Sequence, residues 1–229
     1  MVFLGFSAGL PFLLVFSTLS AWLRDVGVEL TTIGFFSWIG ITYSIKVFWA
    51  PVIDRLPLPY LTAMMGKRRS WMLLAQFTIA SGLLAMSGTD PLSQIALIAG
   101  FGLVVAFGSA TQDITIDAYR IEAMEPEFQG AMAAAYVFGY RIALLVAGAG
   151  AFYIAESYSW SIAYVCMSLL MSVGICSTLV IREPEHDVSQ STRSIEADLE
   201  SSLGVSTREA DQRTQADAQR HADVLSAAG

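Results

Sequence analysis

Charge is the scarcest ingredient of this 229-residue sequence: Asp, Glu, Lys and Arg together make up 14% of it, where a soluble domain carries about a quarter. Histidine is scarcer still, with only His186 and His221, both beyond residue 182. An apolar body without histidine has no Ser-His-Asp triad and none of the usual zinc sites. The two cysteines, Cys166 and Cys176, stand ten residues apart in one apolar run, so they do not meet within a helix and read as small buried hydrophobes rather than a disulfide. No cluster of bases suits nucleic acid. Gly100 and Gly102 sit inside an apolar run with no strand before them, which excludes a nucleotide fingerprint. An enzyme is therefore not expected, nor a cofactor, a metal or a nucleic-acid partner.

What charge there is falls unevenly. Residues 1 to 182 carry ten acids and nine bases, whereas residues 183 to 229 carry ten acids, four bases and no aromatic side chain. The net charge of −7 is thus −1 in the body and −6 in the tail. The body is built from apolar runs long enough to cross a bilayer core of about 30 Å, which takes roughly 20 residues of helix. Six such runs are expected as spans, at about 1–23, 31–53, 70–89, 91–118, 128–155 and 157–181. Runs of this length without period-two alternation are helices, because the backbone in lipid must satisfy its own hydrogen bonds. The first run has no basic leader and is too long for the apolar stretch of a signal peptide. The expected fold class is an all-α membrane protein: a six-helix transmembrane bundle over residues 1–182 and a cytoplasmic, mostly disordered polar tail over 183–229. A short helix at 207–225 is compatible with the composition of that tail.

Orientation follows from the loops. Arg55, Lys67, Arg68, Arg69, Arg120 and Arg182 fall on one side and Arg24 alone on the other, so the former side and both termini are expected in the cytoplasm.

Charges inside the spans need a reason, since each costs several kcal/mol unless paired or hydrated. Lys46 interrupts the second run, Arg141 lies near the midpoint of the fifth, and Asp113 and Asp117 lie towards the cytoplasmic end of the fourth. Two readings stand: ion pairs that hold the bundle together, or a polar path for substrate or protons. Asp113 and Asp117 are four apart and share a helix face. Two carboxylates so close in a poorly solvated cavity suit a proton carrier, Asp113 before Asp117. Asp117, nearer the helix end, can instead pair with Arg120 or with the Arg68/Arg69 loop. Arg141 offers a planar fork of donors to a carboxylate and Lys46 a point charge. Gly139, Ala143, Ala147 and Ala151 recur every four residues, a stripe that lets another helix approach closely. Trp22, Trp38, Tyr43, Tyr136 and Tyr140 suit either interfacial anchoring or stacking on sugar rings.

Four stretches carry a resemblance. Gly5 to Leu23, Trp49-Ala-Pro-Val-Ile-Asp-Arg55 with Gly66-Lys-Arg-Arg-Ser-Trp71, Ser109-Ala-Thr-Gln-Asp-Ile-Thr-Ile-Asp-Ala-Tyr-Arg120, and Tyr136-Val-Phe-Gly-Tyr-Arg141 together resemble the AmpG-like muropeptide permeases of the major facilitator superfamily. The resemblance implies a multi-pass permease of the bacterial inner membrane that imports anhydromuropeptides by proton symport for cell-wall recycling. It implies that the first, second, fourth and fifth helices face the cavity or the opposite half, with the third and sixth outside. With such a solute, the residues expected to serve proton coupling are Asp113 and Asp117, and those expected to bind the substrate are Lys46, Arg141, Gln112, Tyr43, Tyr136 and Tyr140. Asp54, Arg55, Gly66, Lys67, Arg68 and Arg69 form a gating loop. Members of that family have two six-helix halves, and alternating access needs one to rock against the other. The expected partners are accordingly the bilayer, a muropeptide-like solute, protons, and a second half: from another polypeptide, from a second copy, or from the rest of a longer product. Two alternatives remain open: transport of another anionic solute such as acetyl-coenzyme A, and a non-transporting membrane protein that binds partners through the small-residue stripe and the tail.

Overall fold

The structure, a computed structural model, describes residues 1–123, 126–184 and 199. Chain packing gathers Met1–Pro184 into one unit and Glu185–Gly229 into another. Apart from Glu183, Pro184 and Leu199, the expected disordered tail and the helix expected at 207–225 lie outside the described residues. All regular structure among the described residues is helical.

Five stretches are long and apolar enough to cross a membrane: Val2–Asp25, Lys67–Ser87, Ile95–Ala123, Gln129–Ser157 and Trp160–Val180. The first consists of α1 (Val2–Val15) and α2 (Ser17–Asp25), separated at Phe16. Pro11 sits inside α1, where its missing N–H removes one rung of the helix. The run expected as a single second span is different. It is a succession of α3 (Leu30–Phe35), a 3-10 turn at Phe36–Gly40, α4 (Ile41–Ile45), a second 3-10 turn at Lys46–Phe48 and α5 (Ala50–Arg55). The cause is local. Thr31, Thr32, Ile33, Ile39, Ile41 and Thr42 are β-branched, Gly34 and Gly40 lie among them, and Pro51 supplies no N–H at the start of α5. All of these weaken the α-helical ladder relative to its tighter 3-10 form.

After the short α6 (Leu61–Met65), four longer stretches complete the unit. They are α7 (Lys67–Ser87), α8 (Ile95–Ala123), α9 (Gln129–Leu145) leading through a π-helical turn at Val146–Gly150 into α10 (Ala151–Ser157), and α11 (Trp160–Leu170) followed by α12 (Ser172–Val180). Ser159 caps α11 by accepting the N–H of Ile162. Before α8, Asp90 accepts the Ser93 hydroxyl and the Leu92 N–H, which together hold its carboxyl below the usual range.

The first span is the centre of the unit. Leu10, Leu14, Leu19 and Leu23 are wholly buried, and α1 packs on α8, α9 and α12. Helix α7, the third of the six expected spans, which the resemblance puts outside, packs on α8, α11 and α12. The α9–α10 stretch leaves most of its surface uncovered. Lipid is as apolar as these side chains, so close packing and interhelical hydrogen bonds hold the helices together. Such bonds include Thr18 to the Ala147 carbonyl (2.9 Å), Tyr164 to the Leu14 carbonyl (2.7 Å) and Ser168 to the Ala80 carbonyl (2.8 Å).

The stripe of Gly139, Ala143, Ala147 and Ala151 is the packing surface for the first span. Ala143, Ala147 and Ala151 are wholly buried, and a Cβ at Gly139 would run into the Val2 carbonyl. Its counterpart on α1 is Gly5 and Gly9, also four apart, where a Cβ at Gly5 would run into the Tyr136 carbonyl. This covering by α1 removes the stripe as a docking face for a separate partner. Trp22 is buried too, stacked on Trp160 at 6.4 Å and beside Tyr164 at 4.8 Å, so it presents no face to a sugar. Gly139→Ala is expected to cost about 1–3 kcal/mol of stability through overpacking, read as a lowered unfolding midpoint in detergent. Gly130→Ala, where a Cβ meets nothing within 4 Å, is the matched control and should leave the midpoint unchanged or raise it.

Candidate functional site

Helix α8 carries the polar block of the fourth span, and its 3.6-residue period sorts that block onto separate faces. Ser109, Asp113 and Asp117 follow one face, while Gln112 is turned about a quarter of the circumference away. Gln112 is wholly buried and donates to Ser7 of α1 at 2.7 Å. Asp113 instead faces the second stretch and α9. Its Oδ2 lies 4.0 Å from the Lys46 Nζ, and its Oδ1 is 3.5 Å from the Tyr136 hydroxyl, which donates to it. The Asp113 side chain remains one-fifth exposed (21%) and Lys46 one-third (35%).

The other candidates gather unevenly around this carboxylate. Tyr140 stands one turn beyond Tyr136, with ring centroids 6.1 Å apart. The Tyr43 ring packs against Phe12 and Phe16 at 5.9 and 5.8 Å. Asp117 shares the Asp113 face but pairs with Arg120 at 3.3 Å, half in the open. Arg141 is exposed and has no ion-pair partner among the described residues. Lys46, Asp113, Tyr43, Tyr136 and Tyr140 are thus brought together, whereas Gln112 and Asp117 are engaged elsewhere.

A second cluster forms where α5 and α7 meet the end of α8. Arg68 is buried, and its fork donates through Nη1 to Asp54 at 2.6 Å and through Nε and Nη2 to Glu122 at 2.5 to 3.2 Å. Lys67 donates to the Asp54 carbonyl at 2.7 Å. The backbone N–H groups of Arg68 and Arg69 donate to the Glu183 carboxylate at 2.7 and 3.1 Å, where the start of a helix favours an anion. Arg69 reaches the other way and donates to the carbonyls of Thr178 and Leu179, the last turn of α12. The ends of α7 and α12 therefore cap each other. Gly66 has φ +87°, open to glycine and strained for other residues, and a Cβ there would also meet the Glu183 side chain. Of the six residues expected in this loop, Arg55 alone lies exposed without an ion pair among the described residues.

Glu122 and Glu183 are the partners that reading the sequence missed. The signal for Glu122 was the charge imbalance of the loop itself: Arg55, Lys67, Arg68 and Arg69 against Asp54 alone. Glu183 directly follows the last apolar run, but nothing in its surroundings indicated the start of α7 as its target.

The sequence profile of the Major Facilitator Superfamily matches residues 1–219. Among curated proteins, the chain is 37% identical over 186 residues to putative transporter AmpG 4 of Rickettsia felis, covering 80% of this chain and 44% of that protein. It is 38% identical over 185 residues to the anhydromuropeptide permease of Escherichia coli K12, covering 80% and 37%. It is 30% identical over 200 residues to putative transporter AmpG 3 of Rickettsia typhi, covering 86% and 47%. The chain spans less than half the length of these relatives.

The Arg68 cluster generates a stability prediction. Arg68→Ala leaves Glu122 buried without its cation and should cost about 3–5 kcal/mol, measured by unfolding in detergent. Arg68→Lys should recover only part of that loss, because a point charge does not serve Asp54 and Glu122 with one planar fork. Arg55→Ala should change little.

Proposed function

The chain belongs to the major facilitator superfamily, a family of transporters rather than enzymes, and from that premise we propose that it forms one half of a proton-coupled importer of anhydromuropeptides. The observation that carries this reading is the Asp113 carboxylate between Lys46 and Tyr136, in the interior of the helices and partly open. An ionised Asp113 attracts the Lys46 ammonium. A proton on Asp113 removes that attraction and frees Lys46, with the exposed Arg141, for an anionic group of the solute. A solute with carboxylates suits both cations, and the tyrosines offer faces to sugar rings. Muropeptide as the solute rests on the similarity to the anhydromuropeptide permease of Escherichia coli K12.

The remaining parts of the proposal follow the same logic. Residues 30–55 make the sixth crossing: 26 residues at 1.5 Å each run to about 39 Å even before the longer rise of the 3-10 turns, beyond the bilayer core. The side that bears Arg55, Lys67, Arg68, Arg69, Arg120 and Arg182 faces the cytoplasm, and both ends of the bundle lie there, in a bacterial inner membrane. Asp54, Arg68 and Glu122 lock one arrangement of the gating loop, with Gly66 as its turn and Arg55, Lys67 and Arg69 around it. Asp117 adds negative charge beside Asp113, and Gln112 supports the site from behind by fixing α8 to α1. A second six-helix half, from the rest of a longer product, from another polypeptide or from a second copy, closes the cavity.

In proteoliposomes containing the chain assembled with its second half, labelled anhydromuropeptide is expected to accumulate under an inward proton gradient and to stop doing so with a protonophore. Asp113→Asn should abolish the dependence on the gradient. Persistence of gradient-driven uptake in that variant would remove Asp113 from coupling. Unlabelled muropeptide should compete with the label; stronger competition by acetyl-coenzyme A would transfer the reading to that class of anion.

A further inference from the structure

The surroundings of Asp113 contain an imbalance that the ion pair does not resolve. An ionised carboxylate has about four lone-pair sites, and the contacts to Asp113 are one hydroxyl at 3.5 Å and one ammonium at 4.0 Å, both at the outer limit for their kind. Asp117, its neighbour on the same face, is turned to Arg120. Among the described residues the carboxylate is short of donors.

One turn before Lys46, on the same face of the second stretch, stands Tyr43. Its hydroxyl oxygen is buried and makes no hydrogen bond of full geometry among the described residues, the Ser109 hydroxyl being close enough for only a weak one. The two helical stretches run in parallel register here, with Tyr43 beside Ser109 and Lys46 beside Asp113, so that hydroxyl lies among Ser109, Asp113 and Tyr140. Phe12 and Phe16 hold the ring on its other sides, which leaves the oxygen, rather than the ring face, as the part of Tyr43 that can act. A buried donor served only weakly, by Ser109, and an adjacent carboxylate short of donors each carry a cost that one hydrogen bond between them would remove.

We propose that Tyr43 is a positioning residue for Asp113: its hydroxyl closes on the carboxylate, so that two neutral donors, Tyr43 and Tyr136, hold the group from opposite helices while Lys46 is free to leave it. The inference rests on the reading of Asp113 as the proton-carrying group. It changes the role of Tyr43 from a platform for sugar to a ligand of that group. Lys46 is then not the only donor able to keep an ionised Asp113 in place, and its departure towards a solute anion does not strand the carboxylate.

The test is isotope-edited infrared spectroscopy of the chain in lipid nanodiscs, with labelled tyrosine to resolve the C–O band of Tyr43. Tyr43→Phe removes the oxygen and keeps the ring packing; it should shift the carboxylate band that Asp113→Asn abolishes. Reciprocally, Asp113→Asn should shift the tyrosine C–O band that Tyr43→Phe abolishes. Tyr153→Phe, at a side chain 75% exposed, should shift neither. A Tyr43 band that answers to Ser109→Ala but not to Asp113→Asn would overturn the proposal, as would a response in one direction only. Failure of the transport reading is separate: gradient-driven uptake surviving Asp113→Asn would refute coupling at Asp113 while leaving the spectral pairing intact.

Discussion

A polar group carried into the interior of a membrane helix bundle has to find its partner in protein, since the surrounding hydrocarbon offers none. Most features of this chain follow from that constraint. The hydroxyls of Thr18, Tyr164 and Ser168 each reach the carbonyl of another helix. Gln112 turns to Ser7, and the Thr178 hydroxyl donates to Gln76 at 3.1 Å. Arg68 is buried only because Asp54 and Glu122 together occupy its fork. The partnering is incomplete among the described residues: the Asp113 carboxylate is loosely held, and the Tyr43 hydroxyl, the Trp49 indole N–H, the Thr111 hydroxyl and one amide atom each of Gln76 and Gln112 are buried without a hydrogen bond of full geometry.

A second constraint acts on distance. Without a hydrophobic force between helices in lipid, contact has to come from close approach. The glycines of α1 and α9 allow backbone to meet backbone, and this pins the face of α9 that bears the alanine stripe to the first span. The opposite consequence is that Tyr136, Tyr140 and Arg141 are carried on a helix that is anchored along one edge and open along the rest. Rigidity on one side and exposure on the other suit a helix that lines a path.

How far the sequence was legible depends on the range of the interaction concerned. Five of the six expected spans appear within a few residues of their expected bounds, because length and apolarity are local properties. The break of the 30–55 stretch into α and 3-10 segments was foreshadowed by its β-branched residues and glycines, but apolarity alone hid it. The stripe on α9 was readable as a packing surface from its four-residue spacing. Its counterpart, Gly5 and Gly9, carries the same spacing and went unread because the first run looked featureless in charge. Glu183 was placed with the tail by its composition, whereas its carboxylate belongs to the start of α7.

By itself the sequence determined the helical class, the membrane as the surrounding medium, five stretches long and apolar enough to cross it and the residue types able to carry charge among them, since each depends on composition and period along one segment. Only the tertiary structure decided which charges meet. The Asp117–Arg120 pair lies three residues apart within α8 and was readable from the sequence, whereas Asp113 finds Lys46 and Tyr136 on other helices. Arg68 and Arg69 are neighbours in the chain, yet one binds two carboxylates and the other caps α12. Adjacent side chains on a helix point about 100° apart, so their partners are set by how neighbouring helices pack, a relation between segments that no single segment encodes.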